Sequence, residues 1–168
     1  MRTATLLLFL CLSSLVANAQ SAPEGWRFPN KSDYRDDWQA FRKSVPLPYH
    51  VRVDLDGDGV KDDVWILIPT TEHGQGLFVF LRDKSGKPRV VRLDRSSDYA
   101  PQIMYLSEIA PGRYKTACGK GYFDCTAGEP ALLRLTHPGI MYALYEGASS
   151  VFYWNRRRKE FARVWLSD

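Results

Sequence analysis

A chain of 168 residues, 45% apolar and 25% charged, can bury one hydrophobic core but hardly several. Its 23 Lys and Arg against 19 Asp and Glu leave a formal charge of +4. That mild balance, with no basic stripe carrying interleaved aromatics, argues against a nucleic-acid partner.

The chain opens on Arg2, an apolar run through Leu6 to Leu12, and Val16-Ala17-Asn18-Ala19. One charge, a short apolar core and a small-x-small site predict a signal peptide over residues 1–19, cleaved after Ala19. The run is too short for a permanent anchor, and nothing later is apolar for long enough. Cys11 follows the bulky Leu10, which argues against lipidation. A single domain over residues 20–168 is expected, periplasmic or secreted, its charge lowered from +4 to +3 by the loss of Arg2.

Trp26 and Phe28 are expected to tuck onto the domain, with Pro29 ending regular structure there. The spacing of Tyr34, Trp38, Phe41 and Val45 predicts an amino-terminal α-helix over 32–45. Ser32 is its expected N-cap, and Asp33, Asp36 and Asp37 favour its dipole. Pro46 and Pro48 end it.

Everything later reads as β. Tyr49, Val51, Val53 and Leu55 alternate with His50, Arg52 and Asp54. Residues 64–68 are apolar throughout, as in a strand buried on both faces. Further strands are predicted over 76–82, 89–94, 102–109, 113–117, 131–136, 140–145, 151–154 and 161–165. Residues 83–88 and 155–160 form turns. The fold class expected is therefore mainly β: antiparallel sheets as a sandwich, barrel or propeller-like array, with one amino-terminal helix.

Residues 54–62, Asp-Leu-Asp-Gly-Asp-Gly-Val-Lys-Asp, carry the strongest chemical signal. Asp54, Asp56 and Asp58, at relative positions one, three and five, place three carboxylates about one centre. Gly59 at position six permits a sharp turn. The Val60 carbonyl and the Asp62 carboxylate complete an oxygen cage that suits Ca2+ better than magnesium. Position twelve is Trp65, where an EF-hand needs a bidentate glutamate, and the flanks have strand character.

This stretch, with Val-Trp-Ile-Leu after the acidic run, resembles the calcium loop of FG-GAP and VCBS-type repeats, the integrin-alpha propeller motif. The resemblance covers about residues 49 to 68 and occurs in a single copy. It implies side-chain ligands at Asp54, Asp56, Asp58 and Asp62, a carbonyl ligand at Val60, and a supporting place for Asp63. The wider layout looks like that of small exported bacterial proteins. Some secreted calcium-loop proteins of related appearance are inhibitors or immunity proteins against cell-wall enzymes.

Cys118 and Cys125 remain after cleavage, an even count that predicts one structural disulfide in an oxidising compartment. His50, His73 and His137 have no nucleophile or ligand partner at a recognisable spacing, and Ser149-Ser150 lies in no nucleophile elbow. The expectation is a non-catalytic, calcium-binding exported protein with a protein partner in the envelope. The alternatives are a cell-wall or glycan hydrolase using a carboxylate pair drawn from Glu72, Glu108, Glu129 and Glu146, and a calcium-stabilised structural protein without a specific partner. Two recognition surfaces are candidates. One is the aromatic run Phe152, Tyr153 and Trp154, of which a strand must send Tyr153 to the opposite face from the other two, with core packing the expected role. The other is the tip of the disulfide loop, Tyr122 and Phe123.

Overall fold

The computed structural model describes residues 20–33, 49–85, 88–98 and 101–167. The first sheet contains β1 (Trp26–Arg27), β2 (His50–Val53), β3 (Asp62–Pro69), β4 (Gln75–Arg82) and β5 (Pro88–Ser96). Its order is β1-β3-β4-β5, with β2 also paired to β3. Strands β1 and β2 share one edge of β3: Trp26 stands opposite Pro69, and Val53 opposite Asp62. The second sheet contains β6 (Met104–Ile109), β9 (Gly139–Leu144), β10 (Ser149–Asn155) and β11 (Glu160–Ser167), in the order β11-β10-β9-β6. Between β6 and β9 the chain makes a separate hairpin of β7 (Gly112–Lys115) and β8 (Leu132–Leu135). All these pairings are antiparallel.

The two sheets pack face to face as a sandwich. Val64 and Ile66 of β3 and Leu77, Val79 and Leu81 of β4 meet Leu106, Ile140, Tyr142 and Phe152 of the other sheet. Tyr49, Val53 and Leu55 join the same cluster, as the alternation of that strand requires. The opposite face of β3 and β4 is also covered. Leu67, Phe78 and Phe80 pack there under Trp26 and Phe28, and Trp26 meets Phe78 edge-on at 4.8 Å between ring centroids. Burial on both faces removes the polar alternation from 64–68.

On the second sheet, Phe152 and Trp154 face the sandwich interior while Tyr153 faces outward. Tyr153, Val151 and Val164 lie under Leu133 and Leu135. Among the described residues, the β7–β8 hairpin packs on this outer face.

Of the 32–45 helix, residues 34–45 lie outside the described residues, as does the signal peptide over 1–19. Lys31–Asp33 form a 3-10 turn. Asn30 caps this turn. The Asn30 Oδ1 accepts from the Ser32 backbone N–H at 2.9 Å, while Asp33 Oδ2 accepts from the Asn30 N–H at 2.8 Å. The two bonds satisfy donors at the start of the turn reciprocally, in the manner of a capping box. Arg27 grips both Asp33 oxygens at 2.6 and 2.7 Å and holds that carboxyl below its ordinary range.

Candidate metal centre

The 54–62 loop joins β2 to β3, and its chain path is set by its own carboxylates. Asp54 Oδ1 accepts from Gly57 N at 2.7 Å and its Oδ2 from Gly59 N at 3.0 Å. Asp56 Oδ1 accepts from Asp58 N at 3.2 Å, and Asp58 Oδ1 from Val60 N at 2.7 Å. The last two are successive Asx turns, a structure that short acidic side chains form readily, and Asp54 spans the loop beneath them. Gly57 and Gly59 lie in the left-handed region, at φ of 76° and 90°, where a side chain is disfavoured.

The result is a convergence of Asp54, Asp56 and Asp58, one oxygen of each lying within 4.8 Å of the others. This donor set fits a hard cation that prefers carboxylate oxygen, and each bonded oxygen keeps a further lone pair.

Asp62 is fully buried at the start of β3. Its Oδ2 accepts from Leu55 N at 3.0 Å and its Oδ1 from Arg82 N at 2.9 Å, so it ties the loop to β4. Burial pushes the Asp62 carboxyl up to about 6; the two backbone donors oppose this, while the charges of Asp56 and Asp54 add to it. The Asp56 carboxyl is also raised, first by burial and then by Asp58 and Asp54, with the Asp58 amide opposing. Carboxylates crowded in this way lower one another's acidity until a cation compensates them.

Asp63 points the other way from its neighbour. It binds His50 Nε2 at 2.8 Å through Oδ1 and Arg82 Nε at 3.1 Å through Oδ2. The His50 ring stacks on Trp65 at 3.9 Å between centroids. Asp63 thus buttresses the β2–β3–β4 junction beneath the loop.

A roof over the loop comes from the far end of the chain, which the sequence does not suggest. Arg156 Nη2 reaches the carbonyls of Asp56 and Gly57 at 3.4 and 3.5 Å. His137, before β9, and Arg156, after β10, so crowd Gly57 that a Cβ there would lie 2.5 Å from each. Only the basic run 156–159 carries a sequence signal, as a turn. Nothing in the sequence pairs it with a loop 100 residues away.

The other candidates separate. His73 is exposed in its turn. Glu72 pairs with Arg95, and Glu129 accepts from Thr126 Oγ1 at 3.2 Å. Ser149 and Ser167 share a hydrogen bond at 2.7 Å, and Ser150 is fully buried. Cys118 and Cys125 form the expected disulfide, with Cα atoms 4.9 Å apart. Tyr122 and Phe123 on the loop it closes are 55% and 39% exposed, and Trp165 of β11 is 38% exposed. Among the described residues no helix is long and apolar enough to cross a membrane.

Set against known proteins, the chain matches no family model, no curated protein and no solved structure.

Proposed function

We propose that this chain is an exported, non-catalytic calcium-binding protein whose 54–62 loop holds one Ca2+ and whose partner is a protein of the cell envelope. The observation that carries it is the convergence of Asp54, Asp56 and Asp58 on a turn held open by two left-handed glycines. Val60 contributes its carbonyl, and Asp62 binds directly or through water from its buried position. Calcium accepts six to eight oxygens in a flexible cage, whereas magnesium demands near-octahedral order and keeps its waters. An oxidising compartment agrees with the disulfide. Exposed aromatic rings on a cross-linked loop agree with protein recognition.

Calorimetric titration of the mature protein with calcium, and separately with magnesium, tests the reading. One calcium per chain is expected, with magnesium much weaker and binding lost in Asp56→Ala. Heat of dilution alone, from a folded protein, would contradict it.

The tie from Asp62 to both Leu55 and β4 gives the ion a second effect. Filling the loop stabilises the junction of three strands, since binding to the native state alone adds to folding free energy.

A further inference from the structure

Beside the acidic loop lies a cavity of about 220 Å³ whose rim is cationic. Arg134, His137, Arg156 and Arg157 line it, and Leu55 and Trp154 form apolar wall. Two nearby arginines have carboxylate partners: Arg158 of the same turn faces Glu160 at 3.6 Å, and Arg163 of β11 faces Asp94 at 3.3 Å. Among the described residues, Arg134, Arg156 and Arg157 have no carboxylate partner.

Two features make this more than a solvated turn. Arg134 stands directly opposite Arg113 across β7 and β8. Like charges in that register are destabilising by a few tenths of a kcal/mol up to about 1 kcal/mol. The 155–160 turn is also fixed in place: Asn155 Oδ1 accepts from the N–H groups of Arg157 and Arg158 at 3.1 and 3.2 Å. Arg156 and Arg157 therefore belong to an ordered turn, and with Arg134 of β8 they line one concave, partly aromatic site. Guanidinium forks match tetrahedral oxyanions, and several of them around one cavity favour a dianion.

We infer that this cavity is a binding site for a phosphate or sulfate monoester, its oxyanion held by Arg134, His137, Arg156 and Arg157 and its organic part against Trp154 and Leu55. The site goes beyond the calcium reading and stands without it. It touches the same loop, because Leu55 supplies wall to the cavity while its backbone N–H binds Asp62. A cation at Asp54, Asp56 and Asp58 cancels nearby negative charge, so calcium strengthens the anion's binding.

The test is calorimetric titration of the mature protein with phenyl phosphate and with phenyl sulfate, in calcium and in EDTA, with phenol as control. Saturable one-to-one binding is expected, tighter for the phosphate dianion and absent for phenol. Arg156→Gln combined with Arg157→Gln should weaken it about tenfold or more, while Arg158→Gln, which makes a like change in charge at the same turn, leaves it intact. No saturation by about 10 mM ester, or equal binding by the double variant with its melting curve unchanged, would overturn the site. Binding that is equal in calcium and EDTA keeps the anion site and removes its link to the loop, so the two readings fail separately.

Discussion

At Gly57 the chain has a φ of 76°, and the space where a Cβ would stand is filled by His137 and Arg156. Gly59 has a φ of 90° and open space around it. The two glycines therefore separate backbone strain from steric exclusion. Gly59→Ala should cost about 1–2 kcal/mol, the ordinary penalty for a left-handed alanine. Gly57→Ala should cost somewhat more, because the Arg156 and His137 side chains must also swing aside. Urea unfolding of both variants checks the order. Asp62 supplies a prediction in pH. Its carboxyl sits at about 6 in the fold and near 3.9 in an unfolded chain. Between these values the folded chain holds a proton that the unfolded chain has released. This group's contribution therefore makes the cation-free protein more stable as pH falls from about 7 to about 4, by on the order of 2–3 kcal/mol. Calcium needs the ionised cage, so its stabilisation should shrink across the same window. Denaturant titrations in EDTA and in calcium, with Asp62→Asn as the reference that lacks the slope, measure both effects. The aspartates were legible in the sequence because Asx turns and cation cages both rest on local spacing. The roof of His137 and Arg156 was not, because its contact with Gly57 is made by the fold and leaves no periodic mark.

The elements were legible where one local rule governs them. The 64–68 run became β3 because an unbroken apolar strand needs two covered faces, which the second sheet and the 20–33 segment provide. Ile66 is fully buried between the sheets, so Ile66→Ala should cost about 2–5 kcal/mol in thermal or urea unfolding. Tyr153 faced away from Phe152 and Trp154 because side chains alternate in a strand. What covers it was not legible. The β7–β8 hairpin is inserted between β6 and β9, which pair over a long intervening stretch, and local composition does not encode that choice. The 3-10 turn at Lys31–Asp33 was not legible either, because it depends on the Arg27–Asp33 pair. The disulfide between Cys118 and Cys125 closes a short, largely exposed segment. Replacing both cysteines with alanine should cost about 2–3 kcal/mol. Because the bridge acts on the unfolded chain, the loss is global, and the most protected amides of β3 and β4 should lose hydrogen-exchange protection by the same amount.

For the whole molecule, the sandwich brings together pieces that no local reading could join. The β2–β3 turn carries the acidic loop, and the turns before β9 and after β10 carry the cationic cover. Opposite charge from opposite ends of the chain thus meets at one end of the sandwich, while the exposed rings of Tyr122, Phe123 and Trp165 belong to the disulfide loop and β11. Mainly antiparallel β architecture followed from turn signals and alternation. The choice of a sandwich over a barrel or propeller depended on which sheet faces met. Thermal melting of the mature protein in excess EDTA, in calcium and in magnesium tests whether the acidic loop holds calcium. At calcium about tenfold above its dissociation constant the account predicts a gain of about 1.4 kcal/mol, or a rise in Tm of about 3–6 °C. Magnesium should give little, and Asp56→Ala should abolish the rise. An unchanged Tm in calcium at every concentration up to the millimolar range would contradict the account and leave residues 54–62 as a turn shaped by its own aspartates.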